Sequence, residues 1–257
     1  MGKLTSLFRK KPEAPSKPPT TDKNTRVYAV GDVHGRSDLF DALMKLIGKD
    51  VKGFDGHSEL VLLGDYVDRG ADTKGILDRM LSGDLPCDKH IFLRGNHEDA
   101  MLSFVDGYSN SSNWLSYGGI ETLDSYGIDA QDVLDKASDA PETLRKLMRK
   151  RIPGDHFKLL KRLPFSHTNG DYLFVHAGIR PKVPIKAQNF DDFLWIREEF
   201  LTHKKPFERF VVHGHTISDK PDVQMNRIGI DTGAYRTGVL TSLVLESATK
   251  RFMETRG

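Results

Sequence analysis

Six polar side chains of the types that bind metal ions each follow a short hydrophobic run. They are Asp32, His34, Asp65, Asn96, His176 and His215. Asp32 and His34 are two residues apart, so in an extended backbone both side chains point the same way and can hold one ion. A carboxylate and an imidazole together suit a divalent transition metal. The sequence therefore predicts a metal site that is assembled from several strand ends.

Asp65 follows the next hydrophobic run, where one carboxylate can bridge two ions about 3.5 to 4 Å apart. We expect Asn96, His176 and His215 to complete the shell of the second ion. Because imidazole and amide ligands are neutral, such a site keeps positive charge, attracts phosphate and acidifies a bound water. The predicted nucleophile is a hydroxide between the two metals, which attacks phosphorus in line. The ligands accept manganese, iron, zinc or cobalt, and we expect manganese.

Proton transfer and phosphate binding are predicted for the residues beside these ligands. His97 follows Asn96 and is placed to protonate a seryl or threonyl oxygen, which is a poor leaving group. Asp68 is expected to keep that imidazole protonated and oriented, and Arg69 offers a planar donor fork for two phosphate oxygens. Each turn alone is weak evidence, because Gly-Asp pairs and single histidines are common in loops. Their combination is difficult to explain by structure alone.

The elements that position these residues are short β-branched or aliphatic runs, which are typical of buried strands that lead into site-forming loops. The six runs are residues 27–30, 60–63, 91–93, 172–175, 210–212 and 228–230, and a last strand without a polar turn is predicted at 239–245. A helix is predicted after Ser37 from the spacing of Leu39, Phe40, Leu43, Met44 and Ile47. Strands that alternate with helices favour an open α/β sheet, which places ligands beyond the carboxyl ends of its strands.

Residues 101–162 have a different pattern, with helices predicted at 141–151 and 156–162. We interpret this stretch as a helical insertion. It either caps the active site and sets substrate access or packs against the edge of the sheet.

Composition predicts one main soluble domain, since 38% of the 257 residues are hydrophobic and 29% are charged. The net charge of +2 argues against nucleic acid as a partner. Cys87 is the only cysteine, so no internal disulfide forms. No apolar stretch approaches the ~20 residues that cross a bilayer, and a cytoplasmic location is expected.

The first 25 residues are rich in proline, lysine and arginine, and we predict a disordered basic tail that precedes a domain at 26–257. The segment 1–6 fits a myristoylation pattern, with basic residues close behind it. The pattern is short, and a solvated basic leader is the alternative. We do not expect membrane attachment.

Three motifs are present without gaps: G-D-x-H-G from Gly31, G-D-x-V-D-R-G from Gly64 and G-N-H-E from Gly95. With the later H-A-G and G-H-T, they resemble the phosphoprotein phosphatase family of Ser/Thr phosphatases within the calcineurin-like metallophosphoesterase superfamily. The length is most similar to the bacterial and phage branch that includes the lambda phage phosphatase. The resemblance implies an α/β fold with a central β-sandwich of mixed sheets flanked by helices.

The resemblance also implies roles for particular residues. It assigns Asp32 and His34 to the first metal, Asp65 to both metals, and Asn96, His176 and His215 to the second. It gives His97 with Asp68 the role of general acid, and it adds Arg197 to Arg69 as a phosphate clamp. His213 is left outside the ligand set. Tyr235 is not assigned, because its surroundings differ from those of the large eukaryotic relatives.

The resulting prediction is hydrolysis of phosphoserine or phosphothreonine in proteins. The nearest alternative is a diadenosine tetraphosphatase or another small-molecule phosphoesterase. Asp68 and Glu98 favour the protein phosphatase, since the symmetrical tetraphosphatases typically replace both. A non-catalytic scaffold that uses its proline-rich tail is the alternative from a different class, and the intact ligands and acid argue against it.

Overall fold

Two five-stranded sheets form the centre of the computed structural model, which describes residues 17–108 and 111–256. The strands are β1 (Thr25–Val30), β2 (His57–Leu62), β3 (Lys89–Phe92), β4 (Ser166–Asn169), β5 (Tyr172–Val175), β6 (Phe210–His213), β7 (Asp222–Val223), β8 (Arg227–Gly229), β9 (Val239–Glu246) and β10 (Thr249–Arg256). The first sheet has the order β10-β9-β1-β2-β3, and the second has the order β4-β5-β6-β8-β7.

Helices cover the outer faces of both sheets. They are α1 (Ser37–Val51), α2 (Thr73–Ser82), α3 (Asn96–Asp106), α4 (Gly119–Ser125), α5 (Ala130–Lys136), α6 (Ala140–Arg151), α7 (Gly154–Arg162), α8 (Phe190–Trp195), α9 (Glu198–Leu201) and α10 (Ala234–Thr237), with 3₁₀ helices at Ser111–Tyr117 and Ile185–Ala187. The helix predicted after Ser37 is confirmed as α1. The predicted helical insertion is present between β3 and β4.

The alternation of side chains along the strands builds the layers of the fold. In β1, Val27 and Ala29 pack between the two sheets, whereas Tyr28 and Val30 point to the opposite face and pack under the helices. In β5, which belongs to the second sheet, Leu173 points away from the first sheet. It joins a third cluster with residues of α8 and α9. The predicted β-sandwich flanked by helices is therefore confirmed.

The strands of the site run parallel in both sheets. β1, β2 and β3 are parallel neighbours in the first sheet, and β5, β6 and β8 are parallel neighbours in the second. All six were predicted from their hydrophobic runs, as was β9. The sequence reasoning missed β4, β7 and β10. Because parallel strands end at the same edge of a sheet, six polar loops meet at one edge of the sandwich.

The predicted tail lies mostly outside the described residues, and so does the myristoylation-like pattern. Its last part is described from Lys17 onward. There the backbone N–H of Thr20 donates to Asp171, and that of Thr21, a buried residue, donates to the carbonyl of Ser247. The division at residue 26 stays a prediction, but the chain packs against the domain several residues before it. Within the described ranges, no helix is long and apolar enough to cross a membrane.

Candidate metal centre

The loops at the strand ends hold several polar residues in left-handed backbone conformations. They are His34 (φ 45°), Asp65 (φ 53°), Asp68 (φ 73°), Arg69 (φ 71°) and His215 (φ 63°). Such conformations are strained for residues other than glycine and concentrate at functional sites. Close packing of the loops also requires Gly95, because a Cβ there would collide with a carboxylate oxygen of Asp65. All five belong to the predicted site, and four other described residues outside it, Asn24, Cys87, Lys182 and Ser247, share the conformation.

The ligands predicted for the second metal converge. The Oδ1 of Asn96 lies 2.8 Å from Nε2 of His176 and 2.8 Å from Nδ1 of His215, and the two nitrogens are 3.2 Å apart. Asp65 approaches with its Oδ1, 3.4 Å from Nε2 of His176. The Nδ1–H of His176 donates to the carbonyl of Leu63, which leaves an electron pair on Nε2. The four side chains thus direct lone pairs at one point.

His34, one of the two ligands predicted for the first metal, lies on the other side of Asp65. Oδ2 of Asp65 is 3.5 Å from Nε2 of His34 and 3.9 Å from Nε2 of His97. The Nδ1 of His34 is held by the carbonyl of Val67, which leaves the electron pair on Nε2. Asp65 therefore presents one carboxylate oxygen to each group, as a bridging ligand must.

Asp32 reaches the centre from the loop after β1. Its carboxylate accepts the backbone N–H of His215 at 3.0 Å and 3.2 Å. Burial, with the neighbouring charges of Asp231 and Asp65, holds the pKa of Asp32 well above its usual range. A bound cation would stabilise the ionised carboxylate of Asp32 and so offset the effect of burial and of the two neighbouring charges. Asp231 was not assigned to the site from the sequence. It stands at a strand end like the predicted ligands, and this position is the signal that could have identified it as a site residue.

The electrostatics favour metal binding. Burial lowers the pKa of His34 to about 3 and that of His215 to about 2, so both imidazoles are neutral near pH 7. Burial opposes ionisation of Asp65, but the four surrounding histidines, His176 first, lower its pKa well below the usual range. Neutral imidazoles, an amide oxygen and carboxylates form a donor set that fits divalent transition ions.

His97 is held by a buried carboxylate. Its Nδ1 lies 2.7 Å from Oδ2 of Asp68. The same Oδ2 accepts the indole N–H of Trp114 at 2.9 Å, and Oδ1 accepts the hydroxyl of Thr122 at 2.7 Å. Burial alone would lower the pKa of His97, but the carboxylates of Asp65 and Asp68 raise it. The two carboxylates thus favour the protonated imidazole, and Asp68 orients it. The sequence reasoning missed Trp114 and Thr122.

Glu98 supports the loop that carries Asp65 and has no exposed surface. Its carboxylate accepts the backbone N–H groups of Asp65, Tyr66, Val67 and Gly95 at 2.7 to 3.2 Å. Burial and the nearby charge of Asp65 raise its pKa to about 7. The side chain fixes the shape of the bridging loop and makes no surface for a substrate.

The two predicted phosphate ligands lie at the rim. The guanidinium of Arg69 is 3.0 Å from Nε2 of His34 and 3.0 Å from Nε2 of His97. It stacks at 4.6 Å on the ring of Tyr235, so this unassigned tyrosine is part of the site. Arg197 lies 3.4 Å from the hydroxyl of Thr216. Two cations therefore flank the converging ligands, as phosphate binding requires.

His213 lies outside the two groups of converging donors. Its Nδ1 is 3.0 Å from the carbonyl of Gly214, and its Nε2 is 3.1 Å from the guanidinium of Arg227. Its exclusion from the ligand set stays a prediction.

The sandwich and the paired ligand groups define a two-metal phosphoesterase. The family model described as calcineurin-like phosphoesterase matches residues 25–236, and the chain belongs to this family. The narrower assignment to the phosphoprotein phosphatases stays a prediction.

Two curated relatives differ in substrate. The chain is 26% identical to an asymmetrical bis(5'-nucleosyl)-tetraphosphatase of Anoxybacillus flavithermus, over 83% of this chain and 88% of that enzyme. It is 30% identical to the serine/threonine-protein phosphatase 2B catalytic subunit A2 of Saccharomyces cerevisiae, over 70% of this chain and 23% of that protein.

Solved structures share the fold. A presumed diadenosine tetraphosphatase has a TM-score of 0.61 at 20% identity, over 91% of this chain and 95% of that one. A cold-active protein tyrosine phosphatase has a TM-score of 0.56 at 18% identity, over 91% of this chain and 81% of that one.

Proposed function

We propose that the protein hydrolyses phosphoanhydride bonds of dinucleoside polyphosphates, with diadenosine tetraphosphate as the model substrate. The observation that carries the proposal is the likeness to the asymmetrical tetraphosphatase, which extends over 88% of that enzyme. The likeness to the yeast protein phosphatase is confined to 23% of its length. A relative that agrees over nearly its full length is the better guide to what surrounds the metal ligands.

The geometry supports hydrolysis without a covalent intermediate. Asp65, His34, Asn96, His176 and His215 would hold divalent ions, which when bound would supply Lewis-acid polarisation and a water of lowered pKa. Arg69 and Arg197 bind phosphate oxygens of the substrate and orient it. His97 gives the proton on Nε2 to the leaving oxygen, while Asp68 holds Nδ1 at 2.7 Å.

Phosphoserine or phosphothreonine in proteins is the second candidate substrate. The complete hydrogen bonding around the general acid His97 and its partner Asp68 favours it. His97 is paired with a carboxylate that accepts two further hydrogen bonds. A general acid contributes most when the leaving oxygen is strongly basic, as a seryl alkoxide is. A nucleotide phosphate leaves more readily.

The test compares kcat/KM of the manganese-loaded protein for diadenosine tetraphosphate, a phosphoserine peptide and a phosphotyrosine peptide. We expect the highest value for diadenosine tetraphosphate, and a higher value for either peptide would overturn the proposal. His97→Asn adds a second criterion. It should reduce turnover of the phosphoserine peptide by about 10²-fold and that of the dinucleotide by less. His57→Asn, which alters an exposed histidine at the opposite end of β2, is the matched control.

A further inference from the structure

A cleft of about 230 Å³ opens near the candidate metal centre, and three exposed aromatic residues line it: Tyr108, Tyr117 and Trp195. Tyr117, at the end of the 3₁₀ helix, is 42% exposed, and Trp195, at the end of α8, is 43% exposed. Both rings present a large apolar surface to water, which is unfavourable unless a ligand covers it. The exposure of several aromatic rings in one cleft therefore needs an explanation.

Both rings lie close to the candidate metal centre. The ring of Trp195 stands edge-on to His215 with 6.3 Å between centroids, and the ring of Tyr117 stands edge-on to His97 at 6.4 Å. Each of these two rings of the cleft therefore lies beside a histidine of one donor group at Asp65.

Each of these two residues is also coupled to one of the phosphate-binding arginines. Nε–H of Arg69 points to the carbonyl of Tyr117 at 3.4 Å. Trp195 ends α8, and Arg197 follows it by two residues, directly before α9. A phosphate held by the arginines is thus next to the mouth of the cleft. A group attached to that phosphate would then extend into the cleft between the two rings.

The remaining wall of the cleft is mixed in polarity. Tyr108, Trp114 and Ala100 contribute apolar surface, while Asp99, Ser103 and Asn113 contribute hydrogen-bonding groups. Flat aromatic ligands with polar edges match this combination. Nucleobases stack on aromatic side chains at about 1 to 3 kcal/mol each and hydrogen-bond through their edges.

We propose that the cleft between Tyr117 and Trp195 binds the nucleobase of the nucleotide whose phosphate lies at the metal centre. The inference rests on the proposed function and goes beyond it, because it assigns the residues that recognise the base. Tyr117 and Trp195 act through binding and take no part in the chemical step.

The test uses two inhibitors that differ in the base alone, AMP and ribose 5-phosphate, against hydrolysis of p-nitrophenyl phosphate by the manganese-loaded full chain. AMP should bind wild-type protein about 10-fold more tightly than ribose 5-phosphate. Trp195→Leu and Tyr117→Leu should each reduce this ratio severalfold, and Trp195→Phe, which keeps a flat ring, should preserve most of it. Phe190→Leu, in α8 but outside the cleft, is the matched control and should leave the ratio at its wild-type value.

Equal inhibition constants for the two compounds in the wild-type protein would overturn the inference, and so would a ratio that survives in both leucine variants. Failure of the proposed function has a different signature. In that case wild-type protein prefers a phosphopeptide to diadenosine tetraphosphate, whatever the inhibition ratio. The two hypotheses can therefore fail separately.

Discussion

The carboxylate beneath the general acid gives the most direct test of the chemistry. Asp68→Asn keeps the size and shape of the side chain and removes its negative charge. Asp68 has no exposed surface, and its hydrogen bonds come from His97, Trp114 and Thr122. The substitution therefore changes the acid without changing a group that a substrate can touch.

The expected loss follows from which hydrogen bonds survive. The hydroxyl of Thr122 can rotate to accept a hydrogen bond from the new amide, so the amide oxygen can face the Nδ1 of His97 and the indole N–H of Trp114. What is lost is the charge assistance of the 2.7 Å bond to His97. A hydrogen bond to a charged group contributes about 1.5 to 3 kcal/mol. Turnover should fall by about 10- to 10²-fold, because each 1.4 kcal/mol is a factor of ten.

The assay is kcat at fixed manganese for phenyl phosphate and p-nitrophenyl phosphate, whose leaving groups differ in basicity. The loss should be larger for phenyl phosphate, because its leaving oxygen depends more on the proton. A pH profile provides a second readout. Since the carboxylates raise the pKa of His97, its acidic form persists as pH rises, and Asp68→Asn should move the basic limb of the profile to lower pH.

Thr122→Val is the control, because it removes the hydroxyl that donates to the carboxylate of Asp68 and accepts its backbone N–H, and leaves the charge in place. Its effect on kcat should be the smaller of the two. Equal losses of Asp68→Asn on both aryl phosphates, or an unshifted basic limb with metal content intact, would refute the assignment of His97 and Asp68 as the acid pair.

Three further outcomes follow from particular contacts. Asp65→Asn should lower the content of both metals together, measured by elemental analysis, and selective loss of one would show that Asp65 does not bridge. Gly95→Ala should cost about 1 to 3 kcal/mol of unfolding free energy in urea, because its Cβ would displace the carboxylate of Asp65. Burial opposes ionisation of Glu59, but His167 and Lys89 lower its pKa from 4.5 to about 2. Glu59 therefore stabilises the protein above pH 4.5, and this stabilisation is lost as pH falls through about 2. Glu59→Gln should cost about 1 to 3 kcal/mol at pH 7 and far less near pH 2.

The strands that carry the site were predictable because each contains a short apolar run, and in β1, β2 and β5 that run is buried on both faces. β10 gave no such signal, since its side chains are mostly exposed and polar. It is held by backbone pairing with β9, from Thr249 opposite Glu246 to Arg256 opposite Val239. Pairing of this kind depends on the partner strand more than on the residues of the strand itself.

Within the site, residue types and spacing predicted the donors but not the groups that orient them. Trp114 donates to Asp68 across 46 residues of chain, from a helix whose sequence has no catalytic pattern. Tyr235 reaches the ring of His34 at 5.3 Å only because the loop after β8 folds back over the first sheet. Such contacts are set by packing of distant segments, so a single sequence carries no local signal for them.

The same distinction bears on the choice of substrate. Asp68 and Glu98 favoured a protein substrate in the sequence, yet both are fully buried and their hydrogen bonds are made to other groups of the protein. Asp68 can affect the reaction through the proton on His97, and Glu98 can affect it through the shape of the loop that holds Asp65. Neither can distinguish a peptide from a nucleotide by contact. Discrimination must therefore come from groups that the substrate meets outside the metal ligands, and the exposed rings beside the two arginines are in position to provide it.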